Sequence, residues 1–231
     1  MSEKSENGNK ISVIIPAKNE ENNIADIIQK LKEADIHEII VVDGFSTDRT
    51  REFAEKAGAK VLLQSRKVAP GKGVAMKTGV KEATGDIVLF LDADIINFDK
   101  KWITQMTDPI IKGETDICKA DYERGPTDAP VTKLVAKPML KMLFPDLEVN
   151  MPLEGEISAK KSTFMKLDFV DSWGIDVGLI LSAYKQGYKI KNVYLGKKDH
   201  KKSYTNDVAE LSGMAENVMR TIIEFMDSGQ T

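Results

Sequence analysis

Two aspartates one residue apart, Asp92 and Asp94, follow the apolar run Ile87–Leu91 in "IVLFLDADII". Carboxylates are seldom buried without a counter-charge or a metal. The pair therefore either stands solvated where a strand ends or faces a positively charged ligand. On an extended segment alternate side chains point the same way, so Asp92 and Asp94 could reach one ligand complex. Hard oxygen donors suit Mg²⁺ or Mn²⁺, ions that commonly complete their shell with substrate phosphates. Lys72 stands between Gly71 and Gly73. Bare backbone, the N–H groups of a following helix and an ammonium could together cradle an anion; the same residues could also form a solvated surface turn. Asp43 ends another apolar run, where its carboxylate could accept from a base or ribose or cap Ser46. Asn19 and Glu20 are of types that cap helices. His37 reads as a solvated loop residue. His200 lies in "KKDHKK", either as a surface group or as an imidazole completing a metal site, where it favours Mn²⁺ over Mg²⁺. Lys197, Lys198, Lys201 and Lys202 around it either neutralise phosphates or are solvated. The Gly-Lys-Gly turn is not a Walker A loop, and no G-x-G-x-x-G fingerprint is present.

The elements that must position these groups follow from periodicity. "ISVII" is a β-branched run halted by Pro16, and Ile24, Ile27, Ile28 and Leu31 then take helical i, i+3, i+4, i+7 spacing. "EIIVV" reads as a second strand. "STDRTREFAEKAG" reads as a helix capped by Ser46 or Thr47 and stopped by Gly58. "KVLLQ" is a third strand, the segment from Gly71 to about Ala83 a helix, and "DIVLFL" a fourth strand. Strands that are apolar throughout and alternate with helices imply a mostly parallel sheet flanked by helices on both faces, an α/β fold. Ligands of such sheets bind beyond the carboxyl ends of the strands. That edge carries Pro16-Ala17-Lys18-Asn19-Glu20, Asp43-Gly44, Gly71-Lys72-Gly73 and Asp92-Ala93-Asp94 together. Beyond Asp99 the pattern predicts a helix, the strand "TDICKADYE", a helix kinked near Pro138, a strand or turn near "GEISA", the helix "GIDVGLILSAYKQGY" and a strand running into the basic loop. An amphipathic C-terminal helix closes the chain. It carries Leu211, Met214, Val218, Ile222 and Phe225 on one face, against its own core or a partner subunit.

The 231 residues suit one α/β domain: a polar, disordered lead over 1–10, then a single unit over 11–231. With 42% hydrophobic and 30% charged residues the composition is that of a soluble globular protein. A net charge of -3 gives no general attraction to nucleic acid. Cys118, alone, excludes an intramolecular disulfide and fits a reducing cytoplasm. No run approaches the length of a membrane span.

The segments "VIIPAKNEENNI", "VVDGFSTDRT", "PGKGVAM" and "GDIVLFLDADI", in this order, resemble the Rossmann-like, nucleotide-sugar-binding half of GT-A-fold glycosyltransferases. "VTKLVAKPML", "MPLEGEISA", "WGIDVGL" and "KKDHKK" extend the likeness to the glucosyl-3-phosphoglycerate synthases, retaining enzymes that move glucose from UDP-glucose to 3-phosphoglycerate. The resemblance implies a nucleotide-sugar half over 11–100 and an acceptor half over 101–231. It places Pro16, Ala17, Lys18, Glu20, Asp43 and Gly44 around the uracil and ribose, Lys72 and Asp92 at the nucleotide and diphosphate, and Asp94 with His200 on Mg²⁺ or Mn²⁺. Asp176, where the family commonly has glutamate, falls beside the transferred sugar, and Leu153, Gly155 and Glu156 in a loop closing over it. Thr132, Lys198 and Lys202 fall at the acceptor. There the chain departs from the family: Ala129-Pro130-Val131-Thr132 stands for a Gly-Arg-Val-Thr run, and Lys198 and Lys202 stand for Arg and Asn. Dimers are the family's usual assembly.

Overall fold

The computed structural model describes residues 9–69, 71–125, 128–199 and 208–227. Its strands are β1 (Ile11–Ala17), β2 (Glu38–Asp43), β3 (Lys60–Leu63), β4 (Ile87–Phe90), β5 (Ile117–Glu123), β6 (Ile157–Lys160) and β7 (Ile190–Lys197). They form one sheet in the order β3-β2-β1-β4-β6-β5-β7. The β1–β4 pairings are all parallel, as expected. The segment read as strand or turn is β6, which runs antiparallel to both β4 and β5, while β7 pairs parallel with β5. The result is the mostly parallel α/β sheet that the sequence predicts, with one reversed strand joining its two halves.

Helices α1 (Ile24–Lys32), α2 (Thr50–Lys56), α3 (Lys72–Glu82), α4 (Lys101–Ile111), α5 (Lys137–Leu143), α6 (Lys161–Phe164), α7 (Ile175–Lys185) and α8 (Val208–Asp227) cover the sheet. Along β1, Val13 and Ile15 join the core under α1, α2 and α4, while Ile14 joins the core under α3, α6 and α7. Both faces are dry, which is why the strands carry no polar alternation. All four apolar α1 positions named from the sequence are buried. On α8, Val218, Ile222 and Phe225 are buried and Leu211 and Met214 partly so, against α5, α7 and a π-helical turn at Thr132–Ala136. The named face of the C-terminal helix thus packs on the chain's own core. No described helix is long and apolar enough to cross a membrane.

Three local expectations change. The helix expected from Ser46 or Thr47 starts at Thr50, because Asp48 accepts from the Thr50 backbone N–H at 3.0 Å and its hydroxyl at 2.5 Å. The irregularity near Pro138 is the π-helical turn before it; Pro138 itself sits in the first turn of α5, where no N–H is required. Finally, β4 ends at Phe90, and Ala93 and Asp94 lie in a turn. Asp92 and Asp94 therefore do not alternate along an extended strand.

Candidate active site

A cavity of about 750 Å³ opens at the carboxyl ends of β1–β4. It gathers Pro16, Ala17, Lys18 and Glu20 from the end of β1, Gly44 after β2, Lys72 at the start of α3, and Asp92 and Asp94 after β4. From the later half come Thr132, Leu153, Asp176 and Lys198. Residues separated by more than a hundred positions thus meet at one edge, as ligand sites of parallel sheets do. The size is that of a pocket for a substrate of nucleotide dimensions.

Lys72 is the centre. Its Nζ lies 3.1 Å from Asp92 Oδ1 and 3.0 Å from Asp176 Oδ2, and so joins the β4 edge to the first turn of α7. The glycines beside it serve packing. A Cβ on Gly73 would fall 1.8 Å from the Val170 carbonyl oxygen, and the Gly73 N–H already donates to the Asp171 carbonyl at 3.2 Å. That removes the Gly73 N–H from those expected to bind an anion at this turn. Gly155 is likewise required, since a Cβ there would lie 2.1 Å from Asp92 Oδ1. Asp176 is buried, and its Oδ1 has no hydrogen-bond partner among the described residues. Burial raises its carboxyl above the usual range, only partly opposed by Lys72 and Lys119. Burial also works to raise Asp92, but Lys72 and Lys198 outweigh it and hold that group well below the usual carboxylate range.

Lys198 lines the cavity, but its ammonium is held by carboxylates where an acceptor phosphate was expected. Its ammonium sits among carboxylates: 3.1 Å from Asp92 Oδ2, 3.2 Å from Glu154 Oε2 and 2.9 Å from both oxygens of Glu156. Three carboxylates share this one ammonium, with Lys72 a second counter-charge for Asp92, and Glu156 left with no other hydrogen-bonded cation among the described residues. Burial, with Asp92 and Glu154 adding to it against Lys198, pushes Glu156 up to about 7. Glu154 is relieved by Arg124, whose Nη2 donates to both its oxygens at 2.6 Å. Glu156, expected at the donor, is fully buried behind Lys198 and accepts from the Asp92 backbone N–H at 3.3 Å. Asp43 is also fully buried and accepts from the Ser46 N–H at 3.1 Å, so the capping alternative holds there. Neither lines the cavity.

Gln64, Arg124, Glu154 and Trp173 line the cavity too, and the sequence reading passed over them. Glu154 and Glu156 repeat the alternate-carboxylate spacing of Asp92 and Asp94, a signal that was there to be read. Arg124 and Gln64 have none: each is one polar residue among others where a strand ends. The three described non-glycine residues with left-handed backbone are Asn19 (φ 56°), Phe45 (φ 60°) and Ala129 (φ 51°). Asn19 and Ala129 line the cavity and Phe45 adjoins Gly44, so backbone strain gathers at the site. Ala129 stands where the family resemblance has glycine, the residue this conformation favours.

The metal expectation rests on Asp94 and His200. Asp94 is half-buried on the cavity wall, a hard oxygen donor suited to Mg²⁺ or Mn²⁺. The loop that carries it is tied to the end of β7 by Ile96 N–H to the Asp199 carbonyl (2.9 Å), Asn97 Nδ2 to the Lys197 carbonyl (2.7 Å) and Asp199 N–H to Asn97 Oδ1 (2.8 Å). Position 200 follows directly from that tie, although His200, like Lys202, lies outside the described residues. Among the described residues no three His, Cys, Asp or Glu side chains form a cluster able to hold a metal ion. Asp94, a hard oxygen donor on the cavity wall, fits Mg²⁺ or Mn²⁺.

Comparison with known proteins agrees with this geometry. Residues 12–156 match the family model "Glycosyl transferase family 2". A glucosyl-3-phosphoglycerate synthase from Mycolicibacterium smegmatis is 32% identical over 248 residues, covering 96% of this chain and 80% of that protein. The glucosyl-3-phosphoglycerate synthase of Mycobacterium tuberculosis, crystallised with Mn²⁺, UDP-glucose and phosphoglyceric acid, superimposes with a TM-score of 0.87 at 33% identity, over 95% of this chain and 80% of that one. The same enzyme with Mg²⁺ and UDP gives 0.86 at 33% identity, over 95% of this chain and 80% of that one. This chain is a glycosyltransferase of family 2 and belongs to the glucosyl-3-phosphoglycerate synthases.

Proposed function

We propose that the protein transfers glucose from UDP-glucose to a small phosphorylated acceptor, 3-phosphoglycerate or a close analogue, with retention at the anomeric carbon. The observation that carries this reading is Lys72 held between Asp92 and Asp176, with Asp176 Oδ1 left as a buried acceptor in the cavity. It is supported by the likeness to enzymes crystallised with UDP-glucose and phosphoglyceric acid. Pro16, Ala17, Lys18, Glu20 and Gly44 border the nucleoside, and Leu153 closes over the sugar. Asp176 Oδ1 accepts a hydrogen bond from a glucose hydroxyl, and Lys72 fixes the carboxylate through Oδ2. That contact orients the anomeric carbon toward the acceptor and replaces water in the site. Lys72 also places a positive charge where the diphosphate gains negative charge as the sugar bond breaks. Asp94 and His200 would hold Mg²⁺ or Mn²⁺, which supplies further positive charge to the departing diphosphate.

Retention follows from a front-face course: the acceptor hydroxyl approaches on the side the diphosphate leaves, and its proton passes to a diphosphate oxygen. Thr132 and Arg124 line the acceptor end, together with Lys197. Pro130 has no side-chain donor, so the positive charge at that end comes from the exposed ammonium of Lys197 and from Arg124, whose guanidinium is held by Glu154. The site suits a cytoplasmic enzyme, where nucleotide sugars and phosphorylated metabolites meet. Proton NMR of the product tests the reading. An α-anomeric glucose signal, with its small H1–H2 coupling, on an acceptor-linked product is expected; a β-anomer would overturn retention, and free glucose alone would overturn transfer.

A further inference from the structure

A polar group on the cavity wall has no place in the reaction described so far. Gln64, immediately after β3, is 3% exposed and lines the cavity. Its backbone N–H donates to the Asp43 carbonyl at 3.0 Å, and its Nε2 donates to the Arg66 carbonyl at 2.9 Å. These bonds fix which way the amide points, because a flipped amide would set its oxygen against the Arg66 carbonyl. Oε1 is left as a buried acceptor, and no donor reaches it among the described residues. Buried acceptors are normally paired, and one left unpaired just behind a cavity wall, beside Gly44 and Gly71, is kept for a donor on the ligand.

We propose that Gln64 reads the base of the nucleotide sugar: its Oε1 accepts the N3–H of uracil and so selects uracil over cytosine. The assignment rests on the UDP-sugar reading above. The sheet order supports it. Strands β3 and β4 are three places apart, so Gln64 stands ~14 Å along the sheet edge from the β4 end. That is the reach of a nucleoside diphosphate laid along the edge. With the diphosphate at Lys72 and the Asp94 turn, the base falls over the ends of β2 and β3. There the wall presents Ala17, Gly44 and Val68, small or apolar surface against which a flat ring packs. In that slot Gln64 Oε1 is a fixed acceptor, with Nε2 turned to the Arg66 carbonyl. Uracil brings an N–H at position 3, whereas cytosine brings a lone pair there and would set acceptor against acceptor. A site that hydrogen-bonds one substrate group rejects an analogue without it strongly, because its own polar atom is left unpaired.

Calorimetric titration of the full chain with UDP, CDP and N3-methyl-UDP in Mn²⁺ tests this. Wild type is expected to bind UDP at least tenfold more tightly than either analogue. Gln64→Met, close in shape but without the acceptor, is expected to weaken UDP by about tenfold or more while leaving CDP nearly unchanged, so that the preference collapses toward one. The proposal is overturned if wild type binds N3-methyl-UDP or CDP as well as UDP, or if Gln64→Met keeps the full UDP preference. The wild-type comparison needs no variant, so a folding defect in Gln64→Met does not decide the matter. Failure of wild type to bind UDP at all marks a different fault: it removes the donor reading itself, and the Gln64 assignment with it.

Discussion

Lys198→Met is expected to destabilise the protein by about 3–5 kcal/mol, the cost of removing one partner from a buried charge cluster. In a domain of this size that lowers Tm by roughly 6–20 °C. The side chain is 3% exposed and is the shared counter-charge of Asp92, Glu154 and Glu156. Without it Glu156 loses its hydrogen-bonded counter-charge, with Asp92 and Glu154 close by and only the more distant Lys119 and Arg124 to offset them, so its carboxyl rises further and takes up a proton at neutral pH. Glu154 keeps Arg124 and Asp92 keeps Lys72, which is why the effect stays below outright loss of the fold. Lys198→Arg preserves the charge and is expected to recover most of the stability. Thermal unfolding of the two variants at pH 7.5 measures this. A Tm within 2 °C of wild type for Lys198→Met would show that the cluster is not the internal support described here. The cost is paid for position: the cage holds Asp92 at the cavity wall, where Lys72 meets it.

Lys72→Met is expected to lower kcat for transfer by about 10²–10³, the usual effect of removing one group that stabilises developing charge. Stability should fall far less than in Lys198→Met. Asp92 retains Lys198, and Asp176, its carboxyl already raised by burial, can become neutral at modest cost. Binding of UDP, which carries the diphosphate that Lys72 meets, should weaken too, but by less than kcat falls, because Lys72 also fixes Asp176 at the sugar, a contact UDP lacks. The separation matters: a fall in kcat larger than the loss of UDP affinity places Lys72 at the reacting end of the donor. An equal loss of UDP affinity and no loss of kcat would move it to a purely binding role. Steady-state kinetics together with UDP titration distinguish the two.

Much of this site was legible in the sequence because chain order and strand chemistry are strongly coupled in parallel sheets. Once "ISVII", "EIIVV" and "DIVLFL" are recognised as buried strands, Lys18, Gly44 and Asp92 must share one edge, and they do. Asp176 needed the family resemblance, since nothing in "WGIDVG" alone tells a carboxylate that faces the cavity from a helix-capping one. What stayed hidden was pairing. Lysines in "KKDHKK" look alike in sequence, yet Lys197 is exposed beside Asp199 at 3.2 Å while Lys198 is enclosed. Strand alternation at the end of β7 separates them, and only the sheet register says which one turns inward. Asp43 and Glu156 failed as donor contacts for the same reason: a carboxylate near a strand end can face the ligand or the turn behind it. Residue type does not choose between the two.

The reading of the cavity as a glucosyl-transfer site is met most directly by UDP release from UDP-glucose in Mn²⁺, followed with and without 3-phosphoglycerate. A strong rise in release when 3-phosphoglycerate is added is expected, with Lys72→Met nearly silent in both arms. Release that is the same with and without 3-phosphoglycerate would contradict it, and would send the acceptor end of the cavity, with Pro130 in its wall, to a different partner molecule.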